Sequence, residues 1–519
     1  MRLDSDILII GSGFSGCITA SVLSKLGYRV CVVDKLEHPR FAIGESSTPL
    51  ADRTLQRIAQ CHELDWLMPL TAYGAAQAIA GEVTVGLKRG FSYFQHEHGK
   101  PFQPFADHST ELLVAASTDD AISDTHWLRS TVDHYIARQF LSSNPTNRLI
   151  ENFEIERIKQ TDRWEMIGTR REGAAAETWL LTSRFVIDAS GGAMLFGDAT
   201  GQRDISDRLK TNTGAVFGHF RGLQNWNDLF EQLGGDAHAH PYRSDQAAVH
   251  HLIDEGWLWQ LGFDNGITSC GIVINHLNQA QDIGLAEAAG AIWDADAIWR
   301  VVLGKYPSLS RQFAEAELVA PECLVGKQRL QYLRTPASGT NWLSLPSAIG
   351  FVDPLHSTGI AHTLSAVERI GELFAKCDSP SQLPSHESLL AYGNQLRCDI
   401  LWIDQLVSMC YCASFDFSLF TAATMTYFVA VTNAELDERD GFLASGHAPI
   451  RARVEAISHR ISEFRDERLT KGVSDEKIAA TVRWIRDQMK PFNHVGLMDT
   501  AKSNLYLHTA PAKSGYCVR

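Results

Sequence analysis

The chain is short of several things that would have placed it quickly. Its ten cysteines include no Cys-x-x-Cys pair and no regular spacing. They are therefore read as scattered, reduced and mostly buried thiols, with Cys17 a small packing residue. No Gly-x-Ser-x-Gly elbow occurs, which disfavours a serine hydrolase. No apolar run reaches the roughly 18 residues of a membrane span. The richest apolar stretch, Leu419 to Val431, carries Thr and Ala throughout and reads as a buried helix. Positive charge is scarce as well: 47 Lys and Arg stand against 61 Asp and Glu, for a net charge of −14. An acidic surface repels phosphate backbones, so nucleic acid is disfavoured as a partner. The N-terminus shows neither the basic start nor the small-residue cleavage site of a signal peptide, and a cytoplasmic enzyme is expected.

What is present is an ordinary globular composition, 45% hydrophobic over 519 residues, which implies two or three domains. Residues 1–35 read as strand, helix, strand. The strand Asp6 to Ile10 runs into Gly11-Ser12-Gly13-Phe14-Ser15-Gly16, a helix extends from Ser15 to Leu26 and stops at Gly27, and a second strand ends at Asp34. The three glycines have separate tasks: a tight turn, close approach of backbone to a pyrophosphate, and close packing of helix on strand. The pyrophosphate then rests on the positive end of the helix. An acid about 20 residues further on binds a ribose hydroxyl, which is the place of Asp34. This motif alone leaves FAD and NAD both open. Only one such loop is present, whereas a flavoprotein docking NADPH in its own Rossmann domain would show a second.

A second motif bears on that choice. In Gly350-Phe351-Val352-Asp353-Pro354-Leu355-His356-Ser357-Thr358-Gly359-Ile360 a loop containing Asp-Pro runs into Ser-Thr-Gly and opens a helix. The free N–H groups of Thr358 and Gly359 make an anion site on the helix dipole, suited to the flavin pyrimidine edge, a halide, or both.

Together, Gly11 to Gly16, Gly44-Glu45-Ser46 and Phe351 to Gly359 resemble the flavin-dependent halogenases. The Pro-Leu-x-Ser-Thr-Gly-Ile wording is closest to the tryptophan-halogenase branch, and the resemblance covers roughly residues 1–375. It implies an α/β fold in which a Rossmann-type FAD-binding domain is interleaved with a mixed-sheet substrate domain and followed by a mainly helical C-terminal region. The boundaries read as 1–80 with 110–215 and 332–376, then 81–109 with 216–331, then 377–519. The implied chemistry uses reduced FAD from a separate flavin reductase, oxygen, and chloride or bromide. The hypohalous acid so formed is directed by a lysine onto an electron-rich aromatic metabolite.

By motif, the FAD-binding residues would be Gly11, Gly13, Phe14, Ser15, Gly16, Asp34, Lys35, Glu45, Ser46, Arg129, Asp188, Ala348, Asp353, Pro354, Gly359 and Ile360. Halide would lie at Ser357, Thr358 and Gly359. Lys88 matches the family lysine, and a neutral amine there would be favoured by burial among apolar groups. Phe91, Trp257 and Trp259 would line the substrate chamber. The expected partners are a small aromatic or carrier-tethered substrate, the reductase and a second copy of the chain. No metal is expected: the pairs His96/His98 and His238/His240 lack a third ligand and read as solvated loop histidines.

The sequence departs from the family at three places. Trp257-Leu258-Trp259-Gln260-Leu261-Gly262 has Leu-Gly where many members have Ile-Pro. His356 stands where tryptophan halogenases place a glutamate, and a neutral histidine can take over proton acceptance. Pro346-Ser347 replaces the Gly-Asp of many flavin monooxygenases. These departures keep a halide-independent monooxygenase or dehydrogenase as the alternative, and a flavin-binding protein without turnover as a third reading.

Overall fold

The computed structural model describes residues 1–507 except 174, 194, 277–292 and 438–440. Its first strand, Arg2–Ile10, is the centre of an eight-stranded sheet. Val30–Val33 and Ala175–Asp188 flank it in parallel, and Arg148–Ile150 and Trp342–Ser344 continue the parallel pairing outward. The apolar run of this strand is unbroken because both faces are covered. Ile7 and Ile9 pack into the same core as the Phe14–Lys25 and Thr358–Ala375 helices. Leu8 and Ile10 turn the other way, toward Phe153, Trp164 and Met166 of an antiparallel hairpin. The Phe14–Lys25 helix is buried over its first eleven residues. It is apolar all round because it is wedged between the sheet and the helices Arg129–Ser143 and Thr358–Ala375.

The second sheet also has eight strands. Glu317–Lys327, Thr213–Arg221, Ile267–Asn275, Gly256–Gly262 and Ala248–Ile253 run antiparallel in that order, and Gly90–Gln95 then joins in parallel. Glu111–Ala115, read from sequence as part of the FAD-binding segment, belongs here instead, because it is the antiparallel neighbour of Gly90–Gln95. Val85–Lys88 lies outside this sheet, paired with Asp124–Trp127 in a two-stranded ribbon.

The C-terminal part is helical as read: His386–Ala413, Phe417–Leu436, Ala448–Lys471 and Asp475–Met489. It is not a separate body. Phe420 packs on Tyr93 and Phe428 on Phe91, so the Phe417–Leu436 helix covers the second sheet. Beyond the expected helices, the chain returns as a short strand, Leu505–Tyr506, parallel to Glu111–Ala115.

Candidate active site

A cavity of about 990 Å³ runs from the glycine loop, past the Gly350–Pro354 turn, to the wall of the second sheet. That is the upper end of the range for ligand sites. At one end Gly11 is in the left-handed region, φ 108°, and a Cβ there would sit 2.3 Å from the Ala189 carbonyl oxygen. A Cβ on Gly16 would meet the Gly11 carbonyl at 1.9 Å, so this glycine sets the approach of helix to strand, as read. Gly13 begins the Phe14–Lys25 helix with no side-chain cap, leaving its first N–H groups for an anion. Gly13, Phe14, Ser15, Asp34 and Lys35 line the cavity.

Asp34 is fixed by its neighbours. Its Oδ2 accepts from Ser12 N at 2.7 Å, Ser12 Oγ at 2.9 Å and Arg40 Nη2 at 2.8 Å. The Lys35 amine pairs with Glu154 at 3.5 Å on the surface. Arg129 holds a bidentate pair with Asp133, 2.7 Å at each nitrogen, and donates to the carbonyls of Ile43 and Gly44 at 2.8 and 3.1 Å. Its guanidinium lies 4.6 Å from the Phe14 ring centre. Arg129 thus ties the Gly44-Glu45-Ser46 segment to the glycine loop. Glu45 is buried, with Oε1 at 2.8 Å from His219 Nε2 on the second sheet. Ser46 bridges His126. Three of the expected FAD residues stand back from the cavity: Gly16, Asp188 and Ala348. Asp188 is buried and braces the Ala189–Gly192 turn by accepting from Ser190 N at 3.0 Å and Ser190 Oγ at 2.6 Å. Ala348 is buried in a short helix, where its carbonyl accepts from Arg334 at 3.1 Å, while Pro346 and Ser347 reach the cavity.

The Ser-Thr-Gly turn is strained. His356 and Ser357 are consecutive left-handed residues, φ 68° and 58°, costly for side chains other than glycine. The result is that the Thr358–Ala375 helix starts at the cavity with no side-chain cap on Ser357. Ser357, Thr358, Gly359 and Ile360 line the cavity, and a Cβ on Gly359 would meet nothing within 4 Å. Asp353 and Pro354 line it too. Asp353 is buried and accepts from Thr213 Oγ1 at 2.8 Å, Leu355 N at 3.0 Å and the Tyr411 phenol.

His356 itself turns away from this cavity. It is fully buried, with Nδ1 at 3.0 Å from Tyr93 Oη, Nε2 at 3.5 Å from Cys410 Sγ, and its ring stacked 4.3 Å from Tyr427. Burial holds it far below the ordinary histidine range, hence neutral. With Phe91 it lines a small second cavity under the Phe417–Leu436 helix.

Lys88 is fully buried at the end of its strand. Its amine donates to the Ser47 carbonyl at 2.5 Å and lies 4.1 Å from the Phe91 ring centre. His126 and His250 are lowered to about 3, by burial first and the Lys88 charge after it. Trp257 and Trp259 face the large cavity. Trp257 Nε1 donates to the Tyr411 phenol at 2.7 Å, and Trp259 Nε1 to Ser269 Oγ at 3.2 Å. Leu261, in place of the family's isoleucine, keeps an apolar side chain on the wall.

Of the paired histidines, His98 and His238 are exposed as read, but His96 and His240 are not. His96 is buried, with Nε2 at 2.9 Å from His251 Nδ1, and the His240 side chain is fully buried against Glu111. Neither is a solvated loop histidine, because the strands and the 237–239 turn fold over them. Sequence reading also missed Arg40, Asp133, His219 and Tyr411. Arg40 could have been found as a basic residue shortly after the ribose acid. Asp133 could have been found as the acid one helical turn after Arg129, whereas His219 and Tyr411 have no local signal, since each works through a partner far away in the chain.

The glycine-loop segment, residues 9–63, matches an NAD(P)-binding Rossmann-like domain. A profile described as tryptophan halogenase matches residues 132–416. The monodechloroaminopyrrolnitrin halogenase PrnC of Pseudomonas fluorescens is 25% identical over 428 residues, 80% of this chain and 69% of that protein. The tetracycline 7-halogenase of Kitasatospora aureofaciens is 25% identical over 410 residues, 78% and 69% of the two chains. The crystal structure of halogenase PltM with phloroglucinol and FAD superposes with a TM-score of 0.78 at 22% identity, covering 98% of this chain and all of that one. The fold likeness thus extends through the C-terminal helices, where sequence motifs gave none. With more than half of its length matched by the one profile, this chain belongs to the tryptophan halogenase family of flavin-dependent enzymes.

Proposed function

We propose that this FAD-dependent halogenase acts on a small, free, electron-rich aromatic, with Lys88 directing the oxidant and the Ser357–Gly359 turn holding the halide. The observation that carries the reading is the strained turn at His356 and Ser357. It aims an uncapped helix start into the same cavity that the glycine loop opens into. Strain of this kind is retained where a function needs it.

The donor set fits FAD. The uncapped helix behind Gly13 suits the pyrophosphate, Asp34 a ribose hydroxyl, and the open backbone at Gly359 the flavin edge. Bound reduced FAD with oxygen supplies the oxidising equivalent for halide. The N–H groups of Thr358 and Gly359 would hold the anion, and Asp353 would set the turn that presents them. Lys88, among Phe91, His126 and His250, would receive hypohalous acid by hydrogen bonding and steer it to the ring. His356, neutral and joined to Tyr93, is placed to keep that layer in register or to accept a proton through the Tyr93 hydroxyl. Apolar cover from the Phe417–Leu436 helix over Phe91 and Tyr93 favours a small free aromatic over one on a carrier arm. A separate flavin reductase is part of the same reading, as are a cytoplasmic setting and a second copy of the chain. The nine unpaired cysteines among the described residues support a reducing setting.

The test offers purified protein FAD, a generic flavin reductase, NADH, oxygen and bromide with a panel of phenols, indoles and pyrroles. The corresponding ring carboxylic acids are also offered as thioesters on a carrier protein. A bromine isotope doublet that requires bromide and appears on a free ring supports the reading. A doublet only on carrier-bound substrate replaces the substrate class. Oxygen addition without bromine, on any ring, supports the halide-independent monooxygenase.

A further inference from the structure

The outer edge of the second sheet buries a carboxylate between two imidazoles, away from the active-site cavity. Glu111 opens the Glu111–Ala115 strand with its side chain 1% exposed. His240 Nε2 lies 3.2 Å from Glu111 Oε2, and its side chain is fully buried. His108 Nδ1 contacts the other oxygen, Oε1, from a side chain 12% exposed. One donor atom from each residue lies within 4.8 Å of the other two. The remaining ring nitrogen of His240, Nδ1, is buried with no hydrogen-bond partner among the described residues. No competing acceptor therefore turns the ring away from Glu111. His108 is held in the left-handed region, φ 57°, by its backbone contacts. Its N–H donates to the Phe105 carbonyl at 3.0 Å, and its carbonyl accepts from Asn504 Nδ2 at 3.0 Å.

We infer that His108, Glu111 and His240 form a divalent-metal site, zinc by its donor set, with water completing the coordination. Two imidazoles and a carboxylate are a recurring zinc donor set, with bonds of about 2.0–2.2 Å that hold neighbouring ligand atoms about 3.3 Å apart. The Glu111–His240 spacing already has that value, and the His108 donor atom lies within 4.8 Å of the other two. A dication between these groups would neutralise the buried carboxylate. It also ties together four pieces of chain: the 102–110 loop, the start of the Glu111–Ala115 strand, the 237–239 turn and, through Asn504, the Leu505–Tyr506 strand. None of the three side chains lines the active-site cavity. The site is a staple for the sheet edge, independent of the halogenation reading.

The experiment uses the full chain, stripped with chelator and titrated with zinc and, separately, cobalt. Metal per chain is read after desalting, together with the melting temperature. The expected result is one zinc retained per chain, a rise in melting temperature of at least about 2 °C, and a tetrahedral or five-coordinate cobalt spectrum. His240→Gln and Glu111→Gln should each lose the retained zinc and the rise. His108→Gln, the most exposed position, serves if the buried variants do not fold. Equal zinc retention and equal thermal shift in wild type and His108→Gln would mean binding elsewhere, at surface cysteines or histidines, and would overturn the assignment. So would the absence of uptake by folded wild-type protein.

Discussion

The phenol oxygen of Tyr411 lies 2.9 and 3.0 Å from the two carboxylate oxygens of Asp353, and Trp257 donates to that same phenol. One side chain of a C-terminal helix therefore joins the Asp-Pro loop to the wall of the substrate end. Tyr411→Phe removes a donor to a buried carboxylate and leaves the Trp257 N–H unpaired. A stability loss of about 1–3 kcal/mol is expected, read by chemical denaturation. An unchanged midpoint would mean that the contact is not formed in solution.

The Asp353 carboxyl is pushed up to about 7 by burial, against hydrogen bonds from Thr213, Leu355 N and Tyr411 that favour its charged form. The folded protein thus keeps this proton to higher pH than the unfolded chain does. The unfolded state binds fewer protons between about pH 4 and 7, so this group makes stability fall as pH rises through that window. Asp353→Asn should be relatively more stable, compared with wild type, at pH 8 than at pH 4. Melting temperatures of both proteins across that range check it; parallel curves would contradict the shift.

Lys88→Met keeps the apolar bulk of the side chain and removes its amine. Halogenated product should fall by at least about a hundredfold, the scale of losing a positioned acid or oxidant-directing group. FAD binding and oxygen uptake should persist, measured by flavin fluorescence and an oxygen electrode. Retained halogenation would remove Lys88 from the chemistry.

Glu45 and His219 form a buried contact between the Gly44–Ser46 segment and the second sheet. His219→Phe should loosen that segment and weaken FAD binding roughly tenfold, the equivalent of about 1.4 kcal/mol. Titration of FAD fluorescence reads the change. Equal affinity would show that the contact does not hold the flavin segment.

Two glycines should respond in opposite ways. Gly16→Ala places a Cβ 1.9 Å from the Gly11 carbonyl oxygen, so the variant should fail to accumulate as folded protein. Gly359→Ala meets nothing within 4 Å and should melt within about 1–2 °C of wild type while losing halogenation. Circular dichroism and the bromide assay separate the two, and an active Gly359→Ala enzyme would move the halide site elsewhere.

Local patterns carried much of the fold. The unbroken apolar strand, the glycine turn and the second strand up to Asp34 are short-range features whose geometry follows from a few neighbouring residues, and they stand in the structure as read. So does the Thr358–Ala375 helix behind its turn. The Leu419 to Val431 stretch was legible as a buried helix from its lack of a polar face. The site was only partly legible. Gly13, Asp34, Trp257 and Gly359 line the cavity, but His356, adjacent to the turn in sequence, points to its far side because a left-handed backbone reverses the side chain. Glu111 was assigned to the wrong sheet, since a strand's alternation does not name its neighbour.

By itself the sequence determined the dinucleotide fold, the two glycine-marked loops and the family, because each rests on residue types at fixed short spacing. Only the tertiary structure decided that Lys88 is buried against Ser47, that Tyr411 reaches Asp353, and that His240 meets Glu111 and His108. Those pairs are separated by dozens to more than a hundred residues. Hydrogen bonds and close packing act over a few ångströms in space, and no periodicity along the chain encodes which distant side chains will be brought within that reach.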